Sequence, residues 1–185
     1  LVSELNNYFL AGSGGSEKVI AANLLSQNGA LTSGVNGKVV LSLVNIEEDR
    51  LSRSLNNYRQ LPNGQMEKIN PEVKINLYLL FTACPVSDTA GTMFTDSLEN
   101  LSRVIGFFQT KHFFDHQNTP SMDSRIEKIV METCSLTFEQ QNHLWGAMGA
   151  KYMPSMMYKA RVVRIQEEEV VSDGPPILTM EVQAQ

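Results

Sequence analysis

A chain of 185 residues and 20.6 kDa suits one domain around a single core, and at that size about 70% of the unfolded surface is buried without help from disulfides. A formal net charge of −5, with Lys and Arg scattered and no basic run, argues against a nucleic-acid partner. Hydrophobic residues at 42% and charged residues at 19% exclude wholesale disorder, and no apolar run nears the ~20 residues of a membrane span.

The chain opens on Leu1 without a visible signal peptide, so the natural start is expected a few residues upstream and the origin is expected to be cytoplasmic. Leu1, Leu5 and Tyr8/Phe9 fall at helical spacing, which predicts a short amphipathic helix over Leu1–Leu10. The glycine-rich Gly12–Ser16 breaks it, and Val19–Leu24 reads as a first strand. A turn-rich connection over Ser26–Gly37 precedes Lys38–Asp49. There Val39, Leu41 and Leu43 fill one alternating set and Val40, Val44 and Ile46 the other, the pattern of a strand covered on both faces.

Leu51–Asn70 is polar, carries the turn signal Pro62-Asn63-Gly64, and is expected to be a long connection. Val73–Cys84 is the strongest strand signal, with strict alternation ended by Pro85. A helix is expected to begin between Gly91 and Asp96, with Thr92, Thr95 and Asp96 as candidate caps and a buried stripe of Leu98, Leu101, Ile105 and Phe108. Arg125–Leu136 reads as a strand. Thr137 and Gln140 form a capping-box signature for a helix carrying Phe138, Leu144, Trp145 and Met148, with Gly149 as its end and Pro154 beyond. Ser155–Ile165 supplies the last core strand.

The order of elements predicts an α+β fold, a single mixed sheet flanked by helices. Residues 1–166 make the body. Residues 167–185 make a tail that begins with Glu167, Glu168 and Glu169, turns at Gly174-Pro175-Pro176, and ends in the strand-forming Ile177–Val182.

A search for chemistry finds fragments. His112 and His116 lie four apart beside Asp115, as zinc ligands do on a helix, but a third ligand would have to come from His143 or elsewhere. The plainer account is histidines near a helix C-terminus. Cys134 and His143 form a nucleophile–base pair only on paper, and Cys84 and Cys134 read as buried reduced thiols unless their strands are neighbours. No phosphate loop, nucleophile elbow or dinucleotide fingerprint occurs. No catalytic residue, metal ligand or cofactor is therefore assigned. The acidic runs Glu47–Asp49 and Glu167–Glu169 read as solvated strand ends, as cation sites, or as acidic rims against a basic partner. Met148, Met153, Met156 and Met157, beside Tyr152 and Tyr158, fill core gaps or make an adaptable contact patch.

Four segments in succession carry a resemblance: LSLVNIEED (Leu41–Asp49), NPEVKINLYLLFTA (Asn70–Ala83), LSRVIGFFQTKHFF (Leu101–Phe114) and LTFEQQNHLWGAMGAKYMPSMMYKARV (Leu136–Val162). Together they resemble the tail-terminator family typified by the N-terminal domain of the cap protein of Photorhabdus virulence cassettes and antifeeding prophages, in order from about Val39 to Ile165. The resemblance implies a structural cap without enzymatic residues. It implies a hexameric ring of identical chains that docks on the last layer of inner tube and sheath of a contractile injection particle and stops polymerisation. Assembly in the cytoplasm and later release with the particle go with it. The longest relatives carry a further C-terminal domain, which this sequence, ending soon after Val182, is expected to lack.

A closing ring needs heterologous contacts. The expected contact residues are Ile177, Leu178, Met180 and Val182, as a strand added to a neighbour's sheet edge. To these are added Tyr58 and Arg59 in the polar connection, Glu47 and Glu48 in the acidic run, and Tyr152 and Met153 in the methionine-rich patch. Two competing readings are a small metal- or thiol-dependent hydrolase using His112, His116, His143 or Cys134, and a generic tail adaptor.

Overall fold

The two longest alternating segments form the centre of the fold. The computed structural model describes residues 1–13, 16–49, 58–60, 66–69, 73–85, 92–165 and 170–174. Its elements are α1 (Val2–Ser13), β1 (Val19–Ala21), β2 (Val39–Glu48), β3 (Tyr58–Gln60), β4 (Met66–Ile69), β5 (Val73–Ala83), α2 (Thr92–Thr110), β6 (Phe113–Asp115), β7 (Lys128–Cys134), α3 (Phe138–Met148), β8 (Ser155–Ile165) and β9 (Val170–Gly174). Six strands make one sheet in the order β1-β2-β5-β8-β7-β6. Only the β1–β2 pair is parallel, so the sheet is mixed and the fold α+β, as the sequence predicts.

Alternation along β5 assigns each residue to a layer. Leu77, Leu79, Phe81 and Ala83 point into a first cluster with Leu5 and Phe9 of α1 and Leu101, Val104, Phe107 and Phe108 of α2. Phe108 is its hub, with ring centroids 5.3 Å from Phe81 and 4.7 Å from Tyr158. Burying such a ring contributes about 1.5–3 kcal/mol. Tyr78, Leu80 and Cys84 point the other way, into a second cluster with Leu24, Val35, Val40, Trp145 and Met157. Helices α1 and α2 thus cover one face of the sheet, and α3 with the 22–37 connection covers the other.

Helix α3 carries both expected caps. The Gln140 amide donates to Thr137 Oγ1 at 3.2 Å and the Thr137 amide to Gln140 Oε1 at 3.0 Å. Gly149, at φ +67°, closes the other end in the left-handed conformation that glycine adopts without strain.

The expected stripe of α2 is corrected at one position. Leu98 is 37% exposed, while Ser97, Val104 and Phe107 are buried beside Leu101 and Phe108. The Ser97 hydroxyl donates to the Phe94 carbonyl at 2.8 Å, which lets a polar residue take the inward position.

Strand β2 also differs from expectation. Its first half is buried on both faces, but Leu43 is 53% and Ile46 56% exposed. The register with β5 jumps between Leu43, opposite Leu79, and Asn45, opposite Tyr78. One extra residue, Val44, is a bulge. It moves Ile46 opposite Leu77 and so to the face of Leu43, whereas simple alternation puts the two on opposite faces.

The polar connection Leu51–Asn70 contains two strands that sequence reading takes as loop. They form a small sheet in the order β3-β4-β9, with β9 contributed by the tail. The three-residue β6, where the sequence reads as a helix C-terminus, pairs with β7.

Candidate assembly surface

The outer strands stop short of covering their neighbours. On one flank β1 pairs with β2 only over Val39–Leu41. The far side of β1 is sealed by Asn6 of α1: its side-chain oxygen accepts from the Val19 amide at 2.9 Å and its amide donates to the Val19 carbonyl at 2.9 Å. Beyond Ser42, whose hydroxyl donates to the Ala22 carbonyl at 2.8 Å, residues Leu43 to Glu47 of β2 have no backbone partner on that side among the described residues. On the other flank β6 covers only Lys128–Val130 of β7. The Met131 amide donates to the His112 carbonyl at 2.7 Å, and after it the outer side of β7 is likewise open among the described residues.

Grooves accompany both flanks. One of about 350 Å³ runs beside β2 on the α3 face, lined by Leu24, Leu25, Val44, Leu144 and Met148. Another, of about 450 Å³, runs beside β7 on the α2 face, lined by Ile105, Phe108, Met131, Thr133 and Tyr158. Phe138, at the start of α3 next to the end of β7, is 91% exposed.

Across the α3 face a polar row spans four strands. Glu47 Oε2 accepts from the Tyr78 hydroxyl at 2.8 Å and from Lys159 Nζ at 3.2 Å. Lys159 also lies 5.2 Å from the Tyr78 ring centroid. Beside them Arg161 donates to Glu132 at 2.8 Å. The Tyr78 hydroxyl, with Lys159 second, holds the Glu47 carboxyl below its ordinary pKa of 4.5. These exposed pairs fix side-chain positions more than they stabilise the fold.

An α+β body with helices on both faces and strand edges left open is the frame on which the comparisons bear. The sequence matches the Pvc16 N-terminal domain family over residues 1–179. The chain belongs to this family. Its fold is similar to that of the sheath/tube terminator of PVC, an extracellular contractile injection system, in the extended state. The TM-score is 0.52 at 14% identity, over 100% of this chain and 63% of that one. It is also similar to the anti-feeding prophage cap, a tube terminating cap, with a TM-score of 0.51 at 11% identity over 98% of this chain and 59% of that one. The chain therefore spans about three-fifths of each of these two structures. No curated protein matches it.

In this Pvc16-type domain the residues expected at contacts fall into four groups. Glu47 and Glu48 lie on the exposed end of β2, and Tyr152 is 61% exposed with its ring edge-on to Trp145 at 5.7 Å. Met153 is half-buried against the second cluster. Tyr58 and Arg59 lie in β3 opposite Lys68 and Glu67, and nothing further of their side chains is described. Ile177, Leu178, Met180 and Val182 lie outside the described residues, as do Glu167–Glu169.

The candidates for chemistry are dispersed. Helix α2 ends at Thr110, so His112 precedes β6 and His116 follows it, and they share no helical face. The His112 ring stacks edge-on to Phe113 at 5.2 Å. His143 is exposed on α3, and Cys134 is half-buried at the end of β7. Among the described residues no three His, Cys, Asp or Glu side chains converge as a metal ion would require. Cys84 and Cys134 are free thiols, and burial pushes Cys84 up to about 11, far from a reactive thiolate. The open flanks escape sequence reading because they depend on how far β1 and β6 reach. Leu43 and Ile46, spaced as core residues, were the only signal, and the bulge hid it.

Proposed function

We propose that this chain is a structural terminator of a phage-tail-like contractile injection particle. Identical copies form a ring, hexameric by resemblance, that docks on the last layer of inner tube and sheath and stops polymerisation. The observation that carries this reading is the fold shared over nearly the whole chain with two terminating caps of such particles, together with membership of the Pvc16 N-terminal family. The open strand edges, the exposed Leu43, Ile46 and Phe138, and the two grooves suit a subunit completed by neighbours.

The body of residues 1–166 is the docking unit and residues 167–185 are a tail whose Ile177–Val182 strand reaches a neighbouring subunit. Contacts are assigned to Glu47 and Glu48, to Tyr152 and Met153, and to Tyr58 and Arg59 with the small sheet. No reaction, metal, cofactor, nucleic acid or membrane enters the mechanism. The work is done by burial of surface at a polymer end, with assembly in the cytoplasm and release as part of the particle. Among the described residues no helix is long and apolar enough to cross a membrane.

Electron microscopy of particles produced without this chain tests the proposal. Tubes or sheaths of uncontrolled length, or no particles, are expected. Particles of normal length and number overturn it.

A further inference from the structure

We propose that copies of this chain join side by side through their sheets, β7 of one copy adding to the open edge of β2 in the next. This rests on the reading of the protein as a ring of identical copies and names the contact that closes it.

Residue pairings across the sheet set the height of each open edge. Leu43 pairs with Leu79, Leu79 with Tyr158, and Tyr158 with Thr133. One residue row therefore runs from the open edge of β2 to the open edge of β7. The next row is Asn45, Tyr78, Lys159 and Glu132. The open positions Leu43 and Thr133 thus lie at the same level on opposite ends of one sheet. Copies related by rotation about an axis along the strands bring them together with no vertical shift.

Strand direction and hydrogen-bonding phase agree with this. Three successive antiparallel pairings make β2 and β7 run in opposite senses, so a neighbour in the same orientation offers an antiparallel partner. The Val39 amide donates outward to Lys18, and the Leu41 carbonyl accepts outward from Ala22. By alternation, the Leu43 amide and carbonyl also point outward. On β7 the outward Met131 amide fixes the same phase for Thr133. Leu43 and Thr133 of adjacent copies can exchange both of their backbone hydrogen bonds.

The surroundings are complementary as well. On the α2 face, exposed Leu43 of one copy meets the groove beside Thr133, Met131 and Ile105 of the next. On the α3 face, Phe138 at the β7 end meets the groove at the β2 end, where Leu24, Leu144 and Met148 stand beside Asn23 and Ser42. Strand β1 blocks β2 on one side of this level and β6 blocks β7 on the other, so the two flanks mesh as offset steps. The Val44 bulge, directly after Leu43, pins the register. Because the patches differ, the contact is heterologous, as a ring requires.

The test uses the full chain with Cys134→Ser as background. Leu43→Cys and Thr133→Cys are introduced singly and together, and mild oxidation is read on non-reducing gels beside native mass measurements. Within one chain the two positions are three strand spacings apart, about 14 Å, too far for a disulfide. The double variant is expected to give a ladder of covalent multimers that reductant collapses, and the single variants none. Thr133→Pro, which removes only an outward amide, is expected to keep its circular dichroism while assembling at least ~tenfold more weakly. Oligomers that form without cross-linking, or that ignore Thr133→Pro, overturn this contact and leave the ring reading intact. Cross-linking of Leu43→Cys alone also overturns it, because two β2 edges then meet about a two-fold axis. A protein that is monomeric at every concentration overturns both readings.

Discussion

Glu47 shows how a residue at the solvent boundary is positioned by strands other than its own. Its carboxylate accepts from Tyr78 on β5 and Lys159 on β8, and both hydrogen bonds favour the charged form. A carboxyl group whose folded pKa is depressed lends stability above its ordinary pKa and loses it as pH falls through the folded value. The Glu47 carboxyl resonance is expected to titrate below 4.5, and Tyr78→Phe to move that titration upward. An unchanged midpoint in the variant shows that the phenol does not hold the acid. Salt is expected to weaken the pairing, since both groups face water. The sequence makes Glu47 visible as part of an acidic run, but its partners on β5 and β8 come together only through pairing.

At the scale of elements, long alternating runs and local cap chemistry were legible. The strands Val73–Ala83 and Ser155–Ile165 and the capping box of α3 depend on neighbours in sequence, and all are found. Features made by distant partners were not. The bulge at Val44 exists only relative to β5, and β6 is too short to show a period. The tail segment β9 pairs with a β4 lying far earlier in the chain. On α2, Ser97 displaced the expected Leu98 because a side-chain bond to its own helix satisfied the hydroxyl. Strand β1 shows the same dependence on a partner. Its edge is held by Asn6, so Asn6→Ala leaves the Val19 amide and carbonyl without that partner. A loss of about 1–3 kcal/mol is expected. Chemical denaturation measures it, and amide exchange of Val19 should quicken. A midpoint equal to the parent's means that β1 is held by packing alone.

At the scale of the molecule, the two faces of the sheet serve its own core, and among the described residues the flanks at β2 and β7 stay partly open. Helices α1 and α2 close one face, α3 closes the other, and Phe107, Phe108, Trp145 and Tyr158 are buried without any partner chain. Such a body can fold as a monomer and still be incomplete. If rings are its working state, association stabilises the folded form by mass action. The melting midpoint is then expected to rise with protein concentration, as differential scanning calorimetry over a hundredfold range would show. A midpoint independent of concentration means that the isolated chain does not associate.

Placing both unpaired edges in one residue row has a geometric corollary. In the proposed contact, neighbours joined at equal height would climb by nothing per step, so a ring would close wherever the angle between adjacent sheets divides a full turn, and that angle would fix the count. A rise of even one residue, about 3.3 Å along a strand, would accumulate into a spiral with no final member. If copies join as proposed, the extra residue at Val44 would govern more than the side-chain pattern of one strand, because a pinned register would favour a closed circle over an endless ribbon.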